Sequence, residues 1–104
     1  MIKSVMSFGY SNGIPEDVDM IYDVRCFRNP YRRKSLRASD GRDERIRRYV
    51  LESPGVQEFI DEVIRFSAKE ERVAIGCFGG RHRSVAIAEE IARRTGAYVS
   101  HRDL

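Results

Sequence analysis

Between residues 72 and 96 the sequence changes its hydrophobic period once, across a pair of glycines, and that change constrains the fold more than any other feature. Val73-Ala74-Ile75-Gly76-Cys77 is a short apolar run, partly β-branched, preceded by the charged Lys69-Glu70-Glu71-Arg72. A continuous apolar run of this length suits a strand buried on both faces. Beyond Gly79-Gly80, the residues Val85, Ala88, Ile91 and Ala92 make a helical stripe, and Gly96 is a natural C-cap. A strand that turns through glycines into a helix belongs in a sheet whose strands alternate with helices.

The remainder of the chain supplies partners for that unit. Ile2 to Phe8, with Val5, Met6 and Phe8, reads as a first strand, and Met20-Ile21-Tyr22-Asp23-Val24 as a second. The stretch Gly9-Tyr10-Ser11-Asn12-Gly13-Ile14-Pro15 between them is turn-rich. Arg25 to Ser39 has no clear period and contains Asn29-Pro30, so it reads as an irregular surface loop. A helix carrying Ile46, Tyr49 and Val50 follows, with Asp40 as its expected N-cap. Ser53 as N-cap and Pro54 at the first helical position announce another, whose stripe is Val56, Phe59, Ile60, Val63 and Ile64. Ala97-Tyr98-Val99 reads as a last strand, and Ser100 to Leu104, including His101-Arg102, as an exposed tail. The expected fold is one small α/β domain over residues 1–104, with a partly parallel sheet flanked by helices.

The run Gly76-Cys77-Phe78-Gly79-Gly80-Arg81-His82-Arg83-Ser84 carries the chemistry. A helix N-terminus presents unpaired N–H groups and the positive end of the macrodipole, so anions bind there. Gly79 and Gly80 let the backbone approach a ligand closely. Arg83 offers a planar fork for two oxygens, Ser84 a hydroxyl and His82 a further donor. The Gly-Lys-Ser/Thr ending of an ATPase P-loop is missing. Cys77 and Arg83 also have the Cys-x5-Arg spacing, followed by Ser, of phosphatases with a cysteine nucleophile. Gly76 stands where many such enzymes carry His, and no Asp occupies an obvious general-acid loop. Cys77 is thus either a nucleophile or a small buried residue that ends a strand.

Charge is distributed unevenly. The net charge of the chain is +3, yet Arg25 to Arg48 holds ten basic residues against three acids. Arg28, Arg32, Arg33, Lys34 and Arg37 are the candidates there for contacts with RNA phosphates. The same block also reads as a solvated, arginine-rich face. Asp23 is either buried against Arg25 or turned to solvent. Tyr10, Tyr22, Tyr31 and Tyr49 read as core or rim aromatics in preference to platforms for stacking bases. No apolar stretch approaches the roughly 18 residues that a membrane span needs. No secretory leader is evident at the N-terminus. Cys26 and Cys77 are expected as free thiols in the cytoplasm, and the two histidines, His82 and His101, lack zinc spacing. No metal and no cofactor is expected.

The loop motif, extended through Val85-Ala86-Ile87-Ala88-Glu89, resembles the C-terminal domain of the RapZ family of RNase adapters. Ser7-Phe8-Gly9-Tyr10, Gly13-Ile14-Pro15, Asp23-Val24-Arg25, Asn29-Pro30, Leu36-Arg37, Val56-Gln57-Glu58-Phe59 and His101-Arg102 stand in the family's order, so the resemblance spans the chain. It implies a domain that binds a regulatory small RNA, presents it to an endoribonuclease, senses glucosamine-6-phosphate and forms a homodimer. It also implies that Gly79, Gly80, His82, Arg83 and Ser84 hold a phosphate, with Arg25 and Asn29 lining the pocket. The family's N-terminal P-loop domain has no counterpart in this sequence, and neither does its basic C-terminal tail. Phe78 and Tyr31 depart from the Thr and His of well-studied members, which bears on the sugar more than on the phosphate. From the residues and the resemblance together, the expected ligand is a phosphorylated small molecule, sugar phosphate or nucleotide, or an inorganic anion. RNA and a second copy of the chain are further expected partners.

Overall fold

In the computed structural model, which covers residues 1–104, strand β1 (Ser4–Gly9) lies between two strands that come much later in the chain. On one side is β3 (Arg72–Cys77), with β2 (Met20–Asp23) beyond it; on the other is β4 (Tyr98–His101). The sheet order is β2-β3-β1-β4, and all three pairings are parallel, so the sheet is wholly rather than partly parallel. Each return to the same end of the sheet requires a crossover. Two helices, α1 (Glu44–Leu51) and α2 (Val56–Phe66), lie between β2 and β3; α3 (Arg83–Thr95) joins β3 to β4.

Strand alternation decides which side chains meet the helices. Val5 of β1 and Val73, Ile75 and Cys77 of β3 share one core with Ile46 and Val50 of α1, Val56, Ile60 and Val63 of α2, and Ile87 and Ile91 of α3. On the opposite face Phe8 is fully buried and pairs in register with Gly76. A Cβ at position 76 would stand 2.4 Å from the Phe8 ring and 2.7 Å from Tyr10, so the glycine makes room for two aromatic rings. The connection leaving β1 covers this face: the Ser11 N–H donates to the Phe78 carbonyl, and the Asp19 N–H to Arg72.

The starts of α1 and α2 both lie downstream of their expected positions. The N-cap of α1 is Asp43, whose carboxylate accepts the Arg45 N–H at 2.8 Å. Asp40 makes the same local bond to Arg42 one turn earlier. Gly41 forbids an earlier start, because its N–H donates to the Arg81 carbonyl and a Cβ there would lie 2.5 Å from the His82 carbonyl oxygen. Helix α2 starts after Gly55, which is left-handed at φ 88°, and not at Ser53-Pro54. The Ser53 hydroxyl instead accepts the Arg28 N–H, tying the long loop to the α1–α2 turn.

The C-terminal residues are anchored and do not form an exposed tail. The His101 ring bridges the Ser7 hydroxyl (2.6 Å) and the Glu89 carboxylate (3.0 Å). The Asp103 carboxylate accepts the Gly9 N–H at 2.7 Å, and Arg102 donates to the Gly13 carbonyl at 2.6 Å.

Candidate anion site at the strand ends

Because every strand runs the same way, Gly9, Asp23, Cys77 and His101 all end at one edge of the sheet. The loop of residues 78–82 turns there from β3 into α3. It is pressed against the end of β1: a Cβ on Gly9 would lie 2.4 Å from the Gly79 carbonyl carbon and 2.7 Å from the Gly80 nitrogen. Gly80 is left-handed, at φ 74°, and a Cβ on it would lie 2.6 Å from the Gly9 nitrogen. The obstructing atoms are backbone on both sides, so nothing flexible can yield. Gly9→Ala is expected to cost about 3 kcal/mol of stability and to displace the loop, as read by urea unfolding.

The N–H groups of Gly79, Gly80, Arg81 and His82 donate to no atom of the protein. The first backbone donor of the helix is Ala86, bonded to the His82 carbonyl, so the N–H groups of Arg83, Ser84 and Val85 are unpaired as well. Together these donors line the start of a 13-residue helix.

Arg83 is only 7% exposed. Its Nη1 donates to the carbonyls of Arg25 (2.6 Å) and Phe27 (3.3 Å), while its Nε and Nη2 donate to no protein acceptor. No carboxylate pairs with it: the nearby Asp23 is taken by Arg25, whose guanidinium holds Asp23 well below the usual carboxylate range. Asp23 is thus the partly solvated partner of Arg25, itself stacked 4.0 Å over Tyr10.

A cavity of about 310 Å³ opens in front of Arg83, and Asn29, Tyr31, Cys77, Phe78, Gly79, Arg81 and His82 line it as well. The Asn29 side chain caps the turn Pro30–Arg32 by accepting the Tyr31 N–H. The His82 Nε2–H donates to the Ser39 carbonyl at 2.7 Å, and burial pushes the imidazole pKa down. The Cys77 sulfur lies 3.0 Å from the Ser84 hydroxyl, and Ser84 is fully buried behind the loop. Arg25 takes part through its carbonyl, with its guanidinium turned to Asp23.

Sequence reasoning missed one feature of the site. Gly9 touches the loop from another strand, and only its place directly after an apolar strand hinted at this. Phe78 and Tyr31, which the resemblance places near the sugar, flank the cavity with 64% and 56% of their surface exposed, so of the two readings of Tyr31, core or rim, the rim applies.

The basic block divides in two. Arg42, Arg45, Arg47 and Arg48 pair with Asp40, Asp43, Glu90 and Glu44. Arg28, Arg32, Arg33, Lys34 and Arg37 have no carboxylate partner; Arg28 and Arg33 lie over Tyr49 and Arg37 over Tyr31. Arg28 and Arg32 line a second cleft that shares Asn29 and Arg83 with the first cavity.

Sheet order and loop define a small parallel α/β domain in which a glycine turn and a helix N-terminus meet at the C-terminal ends of the strands. The chain belongs to the RapZ C-terminal domain family, whose model matches residues 1–104. It is 45% identical over 97% of its length to a nucleotide-binding protein of Rubrobacter xylanophilus, of which it covers 40%. Nucleotide-binding proteins of Thermosipho africanus (41% identical, 96% of this chain, 41% of that protein) and Acidothermus cellulolyticus (39%, 97% and 39%) are similar to it as well. The chain therefore spans about two fifths of the length of these relatives. No helix is long and apolar enough to cross a membrane.

Proposed function

We propose that this domain is a non-enzymatic binding module that takes the phosphate group of a small phosphorylated metabolite, a sugar phosphate or a nucleotide, into the loop Gly79–Ser84. The observation that carries the proposal is Arg83. An arginine more than nine-tenths buried with no carboxylate bonded to it is costly, and a phosphate on its free edge would remove that cost. The unpaired N–H groups beside it would take the remaining oxygens. Gly79 and Gly80 would give the phosphate its close approach, while Ser84 and His82 hold the loop in shape. The names of the relatives accord with such a ligand, although they describe proteins more than twice as long.

The cavity wall holds no Asp or Glu to protonate a leaving oxygen, which supports binding over catalysis; Cys77, 2% exposed, is shared between that wall and the core. Calorimetric titration with inorganic phosphate, a hexose 6-phosphate and a nucleoside monophosphate tests the proposal. At least one should bind with 1:1 stoichiometry, and silence from all three overturns it. Hydrolysis of an aryl phosphate that disappears in Cys77→Ser would establish the phosphatase alternative.

The five unpaired cations of residues 28–37 favour a second reading, an RNA-binding surface that contacts phosphates without reading bases. It predicts an RNA affinity that falls steeply with salt, with a log–log slope of roughly −0.7 per contacted phosphate on single strands. Replacing Arg32 and Arg33 together should flatten that slope. Self-association, expected from the family, is part of the same proposal and is read by light scattering.

A further inference from the structure

Phosphate recognition accounts for only the inner part of the cavity. The outer wall consists of two large aromatic side chains, Tyr31 and Phe78, and both are more than half exposed. Exposed aromatics on the rim of a concave, largely apolar site mark a surface kept open for a ligand. We infer that the ligand is a nucleoside 5′-monophosphate, with its phosphate in the loop and its base stacked on Tyr31 and Phe78; this rests on the phosphate reading above.

Two observations favour a base over a sugar. Both rings are mounted on held backbone. The Tyr31 N–H is bonded to the Asn29 side chain, and its carbonyl accepts from Arg37, whose guanidinium backs the ring at 4.8 Å from its centroid. Arg37 does not line the cavity, and Tyr31 keeps 56% of its surface exposed. The Phe78 carbonyl accepts the Ser11 N–H, which fixes the other platform.

The free polar groups of the wall are, in addition, mostly donors: the Arg81 guanidinium and the Nε and Nη2 of Arg83 have no protein acceptor. Asn29 Oδ1 accepts from Tyr31, His82 Nε2 donates to Ser39, and Arg83 Nη1 donates to Arg25 and Phe27. The wall has no Asp, Glu, Ser or Thr. A hexose would bury several hydroxyl protons with few acceptors to take them, which costs free energy, whereas a base offers a π-face that needs none. Size and charge set the phosphate count. The cavity, at about 310 Å³, is at the small end for ligand sites. Without a carboxylate in its wall, it has nothing to hold the metal that accompanies a triphosphate.

The test is a set of calorimetric titrations of inorganic phosphate, a hexose 6-phosphate and the four ribonucleoside 5′-monophosphates into the wild type, Tyr31→Ala, Phe78→Ala and Phe78→Leu. At least one nucleoside monophosphate should bind about tenfold or more tightly than the hexose phosphate and inorganic phosphate. Each alanine variant should lower the preference for the nucleotide over inorganic phosphate by roughly tenfold. Phe78→Leu, which keeps apolar bulk without a π-face, should lower it nearly as far. A hexose phosphate that binds as tightly as the nucleotides, or a preference unchanged in both alanine variants, overturns the inference and leaves the phosphate loop standing. Failure of every phosphate to bind overturns both.

Discussion

Arg83→Met should bind phosphate ligands roughly 30- to 1000-fold more weakly than the wild type, a loss of about 2–4 kcal/mol from charge-assisted bonds in a buried site. The side chain lies at the first position of α3, within reach of the unpaired N–H groups of the loop, and two of its donor atoms have no protein partner. The thermal signature separates this from a general folding defect. At a phosphate concentration a hundredfold above its dissociation constant, the wild type should gain about 2.7 kcal/mol of stability. The variant should gain almost none. Without phosphate the two should differ little, because the substitution removes a buried charge that no carboxylate bonds, along with the bonds to the carbonyls of Arg25 and Phe27. Equal phosphate-induced shifts in melting temperature would remove Arg83 from the site.

The second large effect lies on the other side of α3. Glu90 is 5% exposed and accepts from Arg47, Arg93 and Arg94, so one carboxylate joins α1 to the middle of α3. The bonds from Arg93 above all, with those from Arg94 and Arg47, lower its pKa from 4.5 to about 2. Since the folded value is the lower one, folding favours the ionised form. The stabilisation is complete above the unfolded pKa and is lost as pH falls from about 5 towards 2. The shift corresponds to about 3 kcal/mol, and because Arg93 is 63% exposed, solvent screening brings the expected figure to about 2 kcal/mol. Glu90→Gln should therefore destabilise by about 2–3 kcal/mol at pH 7, since it leaves three guanidiniums facing one another. Its stability should also fall less than the wild type's between pH 5 and pH 2.5. Asp19, Asp23, Asp40, Asp43 and Asp103 keep their own acid sensitivity in both proteins, because their pKa values are lowered as well. Urea titrations across that range measure the difference, and parallel pH curves would refute the assignment.

The unit from Val73 to Gly96 was legible because its signals are local: an apolar run, two glycines, a helical stripe and a C-cap glycine at φ 77°. The starts of α1 and α2 were not, because their competitors act from a distance. Gly41 is held by Arg81 and His82, and Ser53 is engaged by Arg28. Sheet order was equally hidden, since parallel pairing joins residues such as Val5 and Val99 that no local pattern links. Arg83 was readable as a candidate from its spacing to Cys77. That no carboxylate bonds it depends on Asp23 turning to Arg25, which only the assembled sheet shows.

The placement of β1 has a consequence for how the chain is made. Ser4 needs Arg72 on one side and Tyr98 on the other, so the first strand of this domain to be synthesised is among the last to find its neighbours. Contacts of such long sequence separation slow folding, since loop-closure entropy is lost before any pairing energy is gained. Until β3 emerges, Val5 and Phe8 have no strand to pair with, and the nascent chain carries an unsatisfied edge that invites association. The same contact of Gly9 with Gly79 and Gly80 that shapes the loop forms only when that wait ends, so the site and the sheet centre are completed in one event.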